Sequence, residues 1–197
     1  MSRKRCLVYG VGINDWAGNI SVNGKPIMEY TLWQGMLRRC FDEKYKQRQP
    51  TYEDVTCSKE WLSMTPFIED VSKMKGYDLE GWEFDKDILQ KGNKLYSKDI
   101  CCFVPAEINS LLIKSDNARG EWPVGVHFHK PSGKFVAQLR INGKRKHLGY
   151  FTTPEEAFQA YKLAKEDQIK VVAEKWQHHL DERVYQALLD YEVSIND

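Results

Sequence analysis

Between Gly120 and Ala164 the chain reads as three short strands closed by one helix, and this segment limits the possible folds more than any other. Val124 to His129 alternates, with Val126 and Phe128 facing one way and His127 and His129 the other. Lys134 to Ile141 alternates more cleanly. Phe135, Ala137, Leu139 and Ile141 share one face, and Lys134, Gln138 and Arg140 share the other, interrupted by Val136. Ser132-Gly133 and Asn142-Gly143 are turn pairs, and the second is a strong signal for a two-residue hairpin. Lys144 to Phe151 again offers Arg145 and His147 on one face. Because a strand repeats every two residues, the polar residues must gather on one surface of a small twisted sheet. From Arg119 to Tyr150 there are seven Lys/Arg and one acidic residue, together with three of the chain's five histidines. A cationic, hydrogen-bond-rich sheet face is what a nucleic-acid reader presents. A solvated surface usually mixes the two signs, whereas here the bases are segregated. Phe128 and Phe135 are expected to point inward, which leaves no aromatic platform for splayed bases and argues for duplex DNA over RNA.

The strands are followed by Thr153-Pro154-Glu155-Glu156, a capping box with proline at the first helical position. The helix it opens carries Phe158, Tyr161 and Ala164 toward the sheet and is predicted to run to about Trp176. A final helix is expected over Asp181 to Tyr191. Upstream, Asn23-Gly24 marks a hairpin within residues 5–27. Trp33, Met36, Leu37, Cys40 and Phe41 are spaced for a helix over Tyr30 to Tyr45. Ser58 can cap a short helix holding Trp61, and Thr65-Pro66 starts another with Phe67, Ile68, Val71 and Met74 as its stripe. The polar stretch 113–123 reads as a linker between a part at 1–112 and a part at 124–197.

Net charge is only +1, so the basic face is offset elsewhere in the chain, as suits a tethered DNA module. No apolar run approaches a membrane span, and no signal-peptide core follows Met1. The five cysteines, an odd number without a secretory signal, point to a reducing, cytoplasmic setting. Cys40, Cys57 and Cys102 read as small buried hydrophobes, or as the makings of a three-thiol metal site.

A second informative stretch is GWEFDKDILQKGNKLYSKDICCFVPAEINSLL, Gly81 to Leu112. It reads as a strand over Trp82 to Leu89, a Gly92-Asn93 loop, a strand over Ile100 to Val104, and a helix from Pro105 to Leu112.

Two resemblances rest on these segments. The string GVHFHKPSGKFVAQLRINGKRKHLGYFTTPEEAFQAYKLAK resembles the ethylene-response-factor (APETALA-type) DNA-binding domain over Val124 to Ala164. That family lays a three-stranded sheet in the major groove and packs a helix behind it. The resemblance implies DNA contacts from His127, His129, Lys134, Gln138, Arg140, Arg145 and His147. Family members usually carry arginine where this chain has His127 and His129, and tryptophan where it has His147. The Gly81–Leu112 segment resembles the ββα-metal (HNH) nucleases, and phage HNH-like proteins with a W-x-x-M-x-x-R-C helix, here Trp33, Met36, Arg39 and Cys40. Many such phage proteins join the two kinds of module.

The resemblance therefore implies an α+β protein with an N-terminal helical, HNH-like ββα part and a C-terminal sheet packed on a helix. It would be a homing-type endonuclease hydrolysing a phosphodiester with one Mg²⁺ or Mn²⁺ ion. Asp85 and Asn109 would hold the ion, and Lys86 and Asn93 would take the catalytic positions. HNH enzymes use histidine as base, and this chain has none before His127. Lys86 could instead stabilise the phosphate's developing charge. The alternative is a silent scaffold: a DNA-binding regulator or inhibitor. A homodimer stays open, since double-strand cutting by a nicking domain needs two copies.

Overall fold

The structure is a computed structural model describing residues 7–112, 121–141 and 143–195. It is mixed α+β. Six α-helices occur among the described residues, and a three-stranded antiparallel sheet packs on the longest of them. Two compact units are present. The first comprises residues 1–106 with 179–184, and the second 107–178 with 185–197. Of the expected linker, residues 113–120 lie outside the described residues.

In the first unit, β1 (Ser21–Val22) and β2 (Lys25–Pro26) form a hairpin closed by Asn23 and Gly24, both at positive φ as a tight primed turn requires. Helix α1 (Met28–Phe41) buries Trp33, Met36, Leu37 and Cys40, a stripe spaced i, i+3, i+4, i+7. The helix expected to reach Tyr45 ends earlier. Asp42 leaves the helical region and its carboxylate accepts the Tyr45 N–H, so the same residue stops α1 and starts α2 (Glu43–Arg48). Next comes β3 (Thr56–Cys57). Trp61 lies in a single 3-10 turn, and helix α3 (Met64–Val71) buries Met64, Phe67, Ile68 and Val71. The Thr65 N–H at the start of α3 is satisfied from fifty residues away, by Asp15 Oδ1 at 2.9 Å. Trp33 Nε1 donates to the Trp61 carbonyl at 2.8 Å and Trp61 Nε1 to Asp70 at 2.9 Å, so both buried indoles keep their polar edge paired.

Strand β4 (Trp82–Asp85) is half the length expected. It is followed by β5 (Leu95–Tyr96) and β6 (Cys102–Pro105). β4 and β6 pair antiparallel, while β5 pairs parallel with β3, a two-residue ladder too short to leave a periodic signal. The segment 179–184 is held in this unit by Lys75 Nζ on the Leu180 carbonyl and by Arg183 on the Asp99 carbonyl.

In the second unit, helix α4 (Ala106–Leu112, its first residue counted with the first unit) precedes β7 (Val126–His129), β8 (Lys134–Ile141) and β9 (Lys144–Phe151), in that spatial order. Helix α5 (Pro154–Trp176) begins at the expected capping box, with Thr153 and Glu156 exchanging hydrogen bonds. Helix α6 is Glu182–Leu189, its first three residues counted with the first unit. Ala137 and Leu139 from the sheet and Ala157, Phe158 and Tyr161 from α5 form the core of this unit. Glu107 accepts from Lys175 Nζ at 2.5 Å and Trp176 Nε1 at 2.8 Å, tying α4 to the end of α5. No described helix is long and apolar enough to cross a membrane.

Gly125, just before β7, lies against Tyr161 of α5. Its φ is +76°, and a Cβ there would lie 2.0 Å from the Tyr161 ring. Gly125→Ala is therefore expected to cost roughly 2–4 kcal/mol, the sum of left-handed strain and overpacking. Urea unfolding of the variant would show this as a lower midpoint, and an unchanged midpoint would contradict the packing.

Candidate nucleic-acid interface

Residues directly opposite in a sheet project to the same side, so the register fixes both faces. Val126 pairs with Ala137, Phe128 with Phe135 and Phe135 with Phe151; with Leu139 they form the helix side. The other side receives His127 opposite Val136, His129 opposite Lys134, Val136 opposite Tyr150, Gln138 opposite His147, and Arg140 opposite Arg145. All seven residues expected to contact DNA thus share one surface.

That surface depends on a fault in β9. Between Ala137 and Gln138 the register shifts, and Leu148 becomes an extra residue without a partner. Leu148 packs toward the α5 core instead. Strict alternation from buried-side Phe151 would have sent His147 and Arg145 inward; the bulge inverts the phase and brings both out beside Tyr150. Gly149 makes this possible with φ +146°, a region L-residues rarely enter.

The centre of the face is aromatic. Tyr150 is 51% exposed and sits between two imidazoles, 4.8 Å from the His147 ring and 5.6 Å from that of His129, both edge-on. Val136 beneath is buried. His129 Nδ1 is 2.8 Å from Ser132 Oγ, which orients its ring. His127 has a buried Nδ1 without a hydrogen-bond partner among the described residues. Lys134, Arg140 and Arg145 are exposed around this centre. Two like-charged or cationic-capable pairs, Arg140–Arg145 and His129–Lys134, stand directly opposite each other. No Asp or Glu occurs between Glu121 and Glu155 to offset them.

Tyr150 was not among the residues singled out by alternation, because its phase relative to His147 is hidden by the bulge. The aromatic inventory also differs from expectation. Phe128 faces the helix side with Phe135 and Trp122, but on an edge strand it keeps 41% of its surface exposed. With Tyr150 outward as well, the expectation that the sheet offers no exposed aromatic does not hold.

The Asp85 loop is a different kind of place. Asp85 Oδ1 accepts the N–H of Asp87 at 2.7 Å and of Ile88 at 2.9 Å, which turns the chain out of β4. Asp87 is therefore in the turn and not on the strand. Lys86, expected at a catalytic position, is 7% exposed. Its ammonium bonds both carboxylate oxygens of Asp87 at 2.7 Å and the Asn93 carbonyl at 2.8 Å. Asn93 donates to the carbonyls of Lys86 at 2.8 Å and Leu95 at 2.6 Å, and accepts from the Leu95 N–H at 3.0 Å. Lys86 has three donors and Asn93 two donors and a carbonyl; every one of these groups is engaged inside the loop. Asn109 belongs to the second unit and Asp85 to the first. Among the described residues no three His, Cys, Asp or Glu side chains, Cys40, Cys57 and Cys102 included, are grouped to hold a metal ion.

No protein-family model matches the chain, and no curated protein or solved structure matches it significantly.

Burial pushes the Asp85 carboxyl above its ordinary range, against the two backbone donors that favour its charge. The folded state thus keeps this proton to higher pH than the unfolded chain does. Its contribution to stability is present below the ordinary carboxylate pKa and falls as pH rises through Asp85's raised value. Asp85→Asn keeps an acceptor for both amides without the charge, so its urea midpoint at pH 7 should equal or exceed the parent's and lose that part of the pH dependence. Asp85→Ala removes the acceptor and should cost roughly 1–3 kcal/mol. Equal losses in both variants would show that the charge itself stabilises the loop.

Proposed function

We propose that this protein binds duplex DNA through the outer face of the β7-β8-β9 sheet. The observation that carries the reading is the pairing of like charges. Arg140 and Arg145 are held opposite one another by a rigid ladder, with no acidic residue in the three strands. Cross-strand pairs of one sign are unfavourable in isolation. A polyanion laid across the strands reverses that sign, because each guanidinium can take a phosphate or the O6/N7 edge of a guanine. Gln138 between them can pair with an adenine edge, and the imidazoles can donate or accept at either site. The apolar packing of α5 behind the sheet supplies the stiffness that such readout needs. The arrangement supports the likeness to the ethylene-response-factor domain seen in the sequence. Histidines at His127, His129 and His147 leave only Arg140 and Arg145 as guanine forks, so the preferred site differs from the family's.

The first unit acts in this reading as a folded partner of the DNA reader, a regulator's scaffold. Along the chain β4, β6 and α4 follow the HNH order, which keeps a metal-dependent endonuclease as the second reading. Lys86 and Asn93 nevertheless hold the loop closed with all their hydrogen-bonding groups, which supports a structural role for both.

Anisotropy titrations of labelled duplexes over a salt series test the interface. Arg140→Ala and Arg145→Ala should each weaken binding by about 1–3 kcal/mol at a preferred site, and each reduce the salt slope by about one. Unchanged curves for both variants would remove the sheet face from the interface, and tighter binding to single-stranded RNA than to duplex would replace the ligand. In the same preparation, supercoiled plasmid with Mg²⁺ or Mn²⁺ should stay uncut. Nicking that is lost in Asp85→Ala and Asn109→Ala would instead establish the endonuclease.

A further inference from the structure

Tyr150 gives the cationic face of the sheet an apolar middle. It lies opposite Val136, which is buried, and the His147 and His129 rings meet it edge-on at 4.8 Å and 5.6 Å. Val136 stands between Lys134 and Gln138 on the same side of β8, so polar residues flank this row along the strand. About half of the tyrosine is open to solvent. We propose that Tyr150 selects a thymine by receiving its C5-methyl group in the major groove. The inference rests on the reading of this face as a duplex DNA interface, and it adds to that reading a residue that specifies sequence.

The chemistry of the groove narrows what the ring can meet. A base in a stacked duplex shows only its edge. In the major groove those edges are polar except at thymine, whose methyl group projects beside the O4 acceptor. Tyr150 matches both features, with an apolar ring and a hydroxyl that can donate. The other bases place N7, O6 or amino groups in the groove, and such a group held against the ring loses water without gaining a partner. The contact therefore discriminates between bases. The two edge-on imidazoles favour one placement of the ring, so it has less rotamer freedom to lose when DNA binds.

The same row is distinct from the guanidinium row. Val136, opposite Tyr150, precedes Arg140, opposite Arg145, by four residues on β8. At the rise of an extended strand this is about 13 Å. A guanine taken by Arg140 or Arg145 and the thymine at Tyr150 are then separate base pairs of one site.

The test selects a preferred duplex from a random pool with the full chain. Its thymines are then replaced one at a time by deoxyuridine, which removes the methyl group and nothing else, and affinities are read by anisotropy. At one thymine or more the parent should bind about fourfold more weakly, the worth of one buried methyl group. Tyr150→Phe keeps the ring and should show the same penalty. Tyr150→Ala and Tyr150→Gln, at an exposed position, should keep the parent's circular dichroism and bind thymine and deoxyuridine equally there. Arg140→Ala should weaken binding to both duplexes and leave their ratio unchanged. The proposal is overturned, with the DNA interface left standing, by a selected site without thymine or by a ratio near one at every thymine. It is equally overturned by a penalty that is lost in Tyr150→Phe or that survives in a folded Tyr150→Ala or Tyr150→Gln protein. Failure to select any duplex removes the interface itself, and the methyl contact with it.

Discussion

The apolar contact between α5 and one side of the β7-β8-β9 sheet is the constraint from which the rest of the second unit follows. Ala137 and Leu139 must meet Ala157, Phe158 and Tyr161. A strand has only two sides, so fixing these residues sends Lys134, Gln138 and Arg140 together to the other. Burial on one side therefore creates charge concentration on the opposite side. Fully burying a side chain such as Leu139 or Phe158 is worth about 1.5–3 kcal/mol, whereas a cross-strand pair of like charges costs at most about 1 kcal/mol. The hydrophobic side wins, and the sheet tolerates a cationic surface that would not assemble by itself.

The bulge at Leu148 shows the same competition within one strand. Leu148 and Phe151 both pack toward α5, yet they are three apart and of opposite phase in a regular strand. One extra residue reconciles them, and Gly149 supplies the backbone angle that the insertion needs. The consequence for the surface is large: Tyr150, His147 and Arg145 come to one side of the sheet. A regular ladder would have divided them between the two.

Much of this was legible in the sequence, and the failures share a cause. Alternation located the three strands and the polar residues of their outward face but not Tyr150, and the Thr153–Glu156 box placed the start of α5, because both signals are local. The bulge is a cross-strand event, decided by what Leu148 meets across space. The β3–β5 pair and the Asp15 cap on α3 link segments far apart in the chain, with too few residues to leave a period. Asp42, in contrast, carried a readable signal: an aspartate three residues before Tyr45 is a helix start, and it outweighed the apolar stripe running past it. The burial of Lys86 has no local signal, because it depends on Asn93, seven residues on, closing the loop over it.

That loop bears on how chemistry-like residue patterns should be weighed. Asp, Lys and Asn are the groups a phosphodiesterase would use, and they are equally the groups that hold a tight loop without a hydrophobic core. The distinction lies in whether their donors and acceptors are spare. Lys86 and Asn93 have spent theirs on each other's backbone, on Asp87 and on Leu95, and releasing either would leave buried polar groups unpaired at about 1–3 kcal/mol apiece. On the sheet, by contrast, Arg140, Arg145 and Lys134 are exposed in a surface without a single acid, and the buried Nδ1 of His127 has no partner among the described residues. Among these two groups of residues, charge and hydrogen-bonding capacity are spent in the loop and left over on the sheet.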